Sequence, residues 1–179
     1  MKIEDIICAA QDKSSVFRSW LSLMLKWEVE TDSYGNIKDE YLSDGQGRTL
    51  AGLTSKSDGL QITGTPSPHF IAEIYYRKYW LPFAGLPMSV AEITANYGLN
   101  MGKETAIKLL QTALGAPVVV DGILGYNTTR AAWQTDQQTL AVDLINLGRK
   151  HYEEIGHGFR ARFLSGWLNR NEAIKELLT

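Results

Sequence analysis

Apolar residues recur along this chain at helical spacing, lose that spacing for about two dozen residues, and then regain it. Residues 1–13 carry Ile3, Ile6, Ile7 and Ala10 on one side of a short amphipathic piece. Ser14 or Ser15 is a good N-cap for the helix that follows. In it Phe17, Leu21 and Met24 repeat at intervals of four and three, with Trp20 beside them, which is one apolar helix face. The helix is expected to end near Glu30, where Thr31, Asp32, Ser33, Tyr34 and Gly35 signal a turn. Residues 31–54 lack helical period and carry Gly35, Gly45, Gly47 and Gly52, so short strands and loops are expected. Residues 54–68 read as a polar, turn-rich connection.

Helical period returns at Pro68, placed near a first helical turn, with Phe70, Ile71, Ile74, Tyr75, Lys78 and Tyr79 at helical spacing. Leu86 and Pro87 open a further helix with Val90, Ile93, Thr94 and Tyr97 facing inward, and Asn-Tyr-Gly-Leu-Asn, 96–100, is expected to break it. Lys103 to Leu114 follows as a helix with Ala106, Leu109, Leu110 and Ala113 as its stripe and Gly115 as its stop. A glycine-punctuated turn from Asp121 leads into a helix ending near Trp133. Leu140 to Ile155 and Phe159 to Leu168 are two more helices, and Asn171 to Leu178 a short closing one.

One position breaks the pattern. Continued by one turn, the Phe17–Leu21–Met24 face lands on Glu28, which projects within about 20° of Phe17 and about 40° of Met24. A carboxylate stands where the stripe calls for an apolar side chain. Glu30 lies about 200° away around an ideal helix and should point outward unless the helix has already ended. Beyond lie Asp44, Thr49 and the Ala51–Thr54 run. An acid at a helix end, facing an Asp and a Thr across a sheet-like segment, is a candidate site for cleaving glycosidic bonds.

The blocks LKWE, DGQGRTLAGLT, IYYRKYW, NYGLN, KLLQTALG, DGILGYNT and FLSGWLNR occur in an order that resembles glycoside hydrolase family 108, the N-acetylmuramidases of phages and bacteria. The resemblance runs from about Ser15 to about Ile174. It implies a mainly α, lysozyme-like fold, a helical body with a small β-containing lobe. It also implies two parts, a glycoside hydrolase part over 1–98 and a peptidoglycan-binding-like helical part over 99–179, packed into one compact unit. The family's catalytic Glu, in a Glu-Gly-Gly-Tyr motif, falls on Glu28; here Val29 and Glu30 replace the two glycines, and the segment before Asp44 is longer than usual. From Asp44 the match continues without a gap.

By that resemblance the reaction is hydrolysis of the β-1,4 bond between N-acetylmuramic acid and N-acetylglucosamine. Glu28 is the expected general acid, its pKa raised by partly apolar surroundings such as Trp27 and Met24. Asp44 would hold or activate water or stabilise charge on the sugar, and Thr49 would position that water. Tyr79, Trp80 and Asn96 are the expected substrate-binding residues. The aromatic cluster Tyr75, Tyr76, Tyr79, Trp80 and Phe83 has core packing as its other reading. Glu92 holds the place of an acid that family members carry four residues before Asn96, with a solvated helix face as the alternative. The turn and helix from Asp121 to Trp133 look like small peptidoglycan-binding modules, although such a turn is also what connects two packed helices.

Composition narrows the classes further. A chain of 179 residues, 44% hydrophobic and 21% charged, suits one globular domain or one with a small appended lobe. A net charge of -2 gives no support for nucleic-acid binding. The single cysteine, Cys8, forms no internal disulfide and no metal pattern. His69, His151 and His157 fall on different segments without ligand spacing, so no metal and no cofactor are expected. Neither a Gly-x-Ser-x-Gly elbow nor a phosphate loop occurs. The N-terminus reads as neither signal peptide nor membrane anchor. The expectation is a monomer made in the cytoplasm that reaches periplasm and cell wall through a holin or a secretion apparatus, with peptidoglycan glycan strands as partner. Two other readings stay open: a non-catalytic wall-binding or virion structural protein, and a chitinase-like glycosidase.

Overall fold

The structure, a computed structural model, describes residues 1–42, 47–59 and 64–175. The chain forms two compact units, Met1–Lys78 and Tyr79–Thr179.

The first unit begins with α1 (Ile3–Cys8) and α2 (Ser15–Glu28). Ser14 caps α2, its Oγ accepting from the Phe17 N–H at 3.2 Å. The face read from the sequence is the buried one: Phe17, Trp20, Leu21, Met24 and Leu25 are all buried. Each such side chain contributes roughly 1.5–3 kcal/mol by leaving water. The helix ends at Glu28, two residues earlier than expected, because Val29 turns extended (φ -115, ψ 121). The reason lies just beyond it. Residues 31–37 close on themselves as a loop, with Thr31 bridged to Ile37 and the Lys38 N–H donating to the Glu30 carbonyl at 2.9 Å. The Asp32 carboxylate accepts from the N–H groups of Tyr34 and Asn36, an Asx turn that fixes the loop. Extended backbone at Val29 turns the chain out of the helix, and Glu30 meets Lys38.

Three antiparallel strands follow, β1 (Asp39–Leu42), β2 (Gly47–Leu50) and β3 (Leu53–Thr54), in that order across the sheet. Asp39 pairs with Leu50, and Thr49 with Thr54. Strand alternation buries Arg48 and Leu50 on one side and turns Thr49 to the other. Arg48 is clamped to Asp39 by two hydrogen bonds, and its guanidinium holds that carboxyl below the usual carboxylate range. Between β2 and β3 the chain reverses through Ala51 (φ 52) and Gly52 (φ 75), the pair of positive φ values a two-residue hairpin turn demands. Thr54 then caps the short α3 (Ser55–Asp58), and Pro68 sits at the start of α4 (Pro68–Ile74), which runs into a π-helical turn over Tyr75–Trp80.

In the second unit a 3-10 turn (Leu81–Phe83) leads to α5 (Met88–Met101). The inward residues Val90, Ile93, Thr94 and Tyr97 are buried as expected, but so are Glu92, Asn96 and Gly98. Residues 96–100 do not break this helix; it continues through Met101. Gly98 is a slot rather than a stop: a Cβ there would stand 2.7 Å from the Phe83 ring. Then come α6 (Lys103–Leu114), α7 (Tyr126–Gln134), α8 (Gln137–Ile155) and, after a 3-10 turn, α9 (Ala161–Ala173). α5 packs on α6 and α8, and α8 on α9. In α6 the buried positions are Ala106, Ile107, Leu110 and Gln111, so the stripe is rotated away from the expected Leu109 and Ala113.

Candidate functional site

In the first unit a cavity of about 160 Å³ is lined by Glu28, Val29, Glu30, Lys38, Thr49, Ala51 and Gly52. It joins the last turn of α2, the loop after it and the β2–β3 hairpin. Glu28 is half-buried and its Oε1 is enclosed by protein. The hairpin turn presses on it: a Cβ at Gly52 would lie 2.7 Å from the Glu28 Cβ and 2.9 Å from the Tyr75 hydroxyl. That hydroxyl donates to the Ala51 carbonyl at 2.8 Å and fixes the turn. Only glycine combines this φ with this proximity.

Thr49 faces the same cavity. Its Oγ1 is buried and has no hydrogen-bond partner among the described residues, an exception to the rule that enclosed hydroxyls are satisfied. Glu28 and Thr49, 21 positions apart in sequence, are therefore brought together. Asp44 lies outside the described residues. Glu30 was expected to point away from Glu28; with the helix finished at Glu28 it lines the same cavity, its carboxylate 2.9 Å from the Lys38 ammonium. Lys38, Gly52 and Tyr75 escaped the sequence reading as site residues. Their only signals were a lysine just past a turn, one glycine in Ala51–Thr54 and one ring of an aromatic cluster.

The expected substrate-binding residues belong to the second unit. Trp80 is buried and Tyr79 half-buried. Tyr75 and Phe83 of the same aromatic cluster are core residues. Asn96 is fully buried. Its carboxamide oxygen accepts from Asn100 Nδ2 at 2.7 Å, and Asn100 accepts in turn from Arg170. The Asn96 Nδ2 donor has no acceptor among the described residues. Glu92 lies one turn earlier on α5. It is no solvated face: the residue is 6% exposed, and burial pushes its carboxyl up to about 7.

The Asp121 turn is organised by a buried glutamine. Gln111 Nε2 donates to the Asp121 carboxylate at 2.8 Å and the Ile123 carbonyl at 3.1 Å, while its Oε1 accepts from the Gly122 N–H at 2.8 Å. Beside this turn runs an open groove of about 690 Å³, whose lining includes Val119, Ile123, Tyr126, Arg130 and Gln134. Tyr126 is 75% exposed there.

Residues 105–172 match the family described as "Predicted Peptidoglycan domain". The matched segment contains the Gln111-held turn and the groove beside it, and it ties the chain to peptidoglycan. Among solved structures the chain is similar to SagA of Brucella abortus. The TM-score is 0.70 at 22% sequence identity, over 90% of this chain and 92% of that one. At that identity the likeness speaks for the fold alone, and the fold is the mainly α, lysozyme-like one expected from the sequence. No curated protein matches the chain. Among the described residues no three His, Cys, Asp or Glu side chains gather as a metal site, and no helix is long and apolar enough to cross a membrane.

Proposed function

We propose that this chain is a peptidoglycan hydrolase, an N-acetylmuramidase of the family 108 type. The observation that carries the reading is Glu28: an acid at a helix end, one carboxyl oxygen enclosed, set beside Thr49 in a cavity open to a ligand. Glu28 protonates the glycosidic oxygen as the bond from that oxygen to the anomeric carbon breaks. A water adds to the anomeric carbon, and its proton passes to Asp44. Thr49 accepts or donates a hydrogen bond to that water with the hydroxyl that bonds to no described residue. General acid–base catalysis of this kind supplies about 10²–10⁴-fold. Of the expected substrate contacts, half-buried Tyr79 keeps ring surface on which a sugar face can stack, whereas Trp80 and Asn96 are buried. Export to the wall proceeds through a holin or a dedicated secretion apparatus.

Mass spectrometry of fragments released from purified sacculi tests this. Reducing-end N-acetylmuramic acid is expected. Reducing-end N-acetylglucosamine, or activity on chitin alone, would replace the muramidase by another glycosidase.

The exposed Tyr126 and Arg130 in the groove of the matched segment favour a second reading, in which the chain holds wall polymer without cutting it. Co-sedimentation with sacculi, no soluble product and loss of sedimentation in Tyr126→Ala would support that reading against hydrolysis.

A further inference from the structure

The replacement of two family glycines by Val29 and Glu30 gives the cavity something the glycines do not provide, a charge pair on its wall. Glu30 and Lys38 both line the Glu28 cavity, and their side chains, 76% and 44% exposed, meet at 2.9 Å. Their backbones are joined as well, through the Lys38 N–H and the Glu30 carbonyl, at the base of the loop that the Thr31–Ile37 bridge and the Asp32 turn hold in shape. The backbone thus sets the Glu30 and Lys38 side chains next to each other.

We propose that Lys38 is a specificity-determining cation, recognising an acidic substituent of the glycan strand next to the bond that Glu28 cleaves. Glu30 is a counter-ion of Lys38, and ligand carboxylate displaces it or shares the ammonium with it. The inference rests on the muramidase reading and narrows it. An exposed ion pair is held weakly, so a carboxylate arriving at the cavity competes for Lys38 at little cost. A charge-assisted hydrogen bond to the substituent then favours anionic strands over neutral ones. In peptidoglycan such carboxylates come from two sources, the lactyl group of muramic acid once peptides are removed, and the stem peptide while it is attached. Chitin oligomers offer neither.

The test measures binding by calorimetry in the Glu28→Gln protein, so that ligands persist. Three ligands are used: peptide-bearing muramoyl–glucosaminyl oligomers, the same strands stripped of peptide, and chitotetraose. Lys38→Met should weaken at least one anionic ligand about five- to tenfold and leave chitotetraose unchanged, with Lys38→Arg restoring most of the loss. Whichever anionic ligand responds identifies the carboxylate. Glu30→Gln should move the other way, tightening that same ligand a few-fold, and added salt should erase both effects. Equal loss for chitotetraose, no change for any ligand, or no binding of any strand overturns the proposal. Selective binding by a wild-type protein that releases nothing from sacculi breaks the hydrolase reading and leaves Lys38 its role.

Discussion

Two acids occupy apolar faces of helices in this protein, and their surroundings have little else in common. Glu28 stands at the last residue of α2, so the chain can leave the helix and return with a loop, a strand and a hairpin turn around it. Glu92 stands in the middle of α5, where residues on every side are buried. No hydrogen bond or ion pair reaches its carboxyl among the described residues, and desolvation alone pushes it up to about 7. Perturbed acids cluster at functional sites, yet Glu92 is enclosed by packing on α5, whereas Glu28 lines a cavity. A carboxylate at a helix end gains partners and access; one in mid-helix gains only a desolvation cost. Chemistry needs access, which favours Glu28 over Glu92 as the acid of the proposed reaction.

The sharpest separation comes from removing each proton in turn. Glu28→Gln is nearly isosteric and should lower sacculus hydrolysis by ~10²-fold or more, with circular dichroism unchanged. Glu92→Gln should stay within about tenfold of wild type in the same assay, because α5 packing rather than proton transfer would be what it alters. Loss of hydrolysis in Glu92→Gln with Glu28→Gln still active would reverse the assignment.

Glu92 should instead declare itself in stability. Below about pH 4.5 folded and unfolded chains both hold its proton. As pH rises toward about 7 the unfolded chain releases the proton first, so the wild type loses stability through that interval. The deficit is constant above it, on the order of 3 kcal/mol. Glu92→Gln removes the slope. Urea unfolding at pH 4 and pH 8 should show the variant gaining on wild type at the higher pH. A difference independent of pH would mean that Glu92 is solvated or paired after all.

What the sequence could and could not say follows the same division between local and long-range causes. The Phe17–Leu21–Met24 face, the Ser14 cap, the Pro68 start and the Gly115 stop were legible, since each is set within a turn or two of chain. The end of α2 was misplaced by two residues because a bridge from Thr31 to Ile37, formed eight residues past Val29, makes the backbone extended there. That shift brought Glu30 into the cavity. The Asn96–Asn100 run looks like a break by composition, but Phe83 fills the space left by Gly98 and the helix continues. At the site, the pattern violation marked Glu28, whereas Thr49, Gly52 and Tyr75 meet it only through tertiary contact, which periodicity cannot reveal.

Gly52→Ala probes the tertiary contact that distinguishes Glu28 from Glu92. The new Cβ meets the Glu28 Cβ and the Tyr75 hydroxyl at a φ of 75, so stability should fall by about 1–3 kcal/mol and the acid should be displaced. Melting temperature and hydrolysis are expected to drop together. Gly85→Ala, at a position with nothing within 4 Å of its Cβ, serves as the control and should change neither. A stable, fully active Gly52→Ala would show that the hairpin does not hold Glu28 in place.

Thr49→Val carries the smallest expected effect. Valine keeps the shape and the β-branching that suit β2 while deleting a buried hydroxyl that bonds to no described residue. No described residue loses a partner, so unfolding free energy should stay within about 0.5 kcal/mol of wild type or rise slightly. If the hydroxyl holds the attacking water, hydrolysis falls by the worth of one hydrogen bond, roughly three- to tenfold, and Thr49→Ser recovers most of it. The loss should appear in kcat with KM little changed, because water enters only at the chemical step. A rise in KM at constant kcat would make Thr49 a contact to the sugar, and a change in stability without change in rate would make it scaffold.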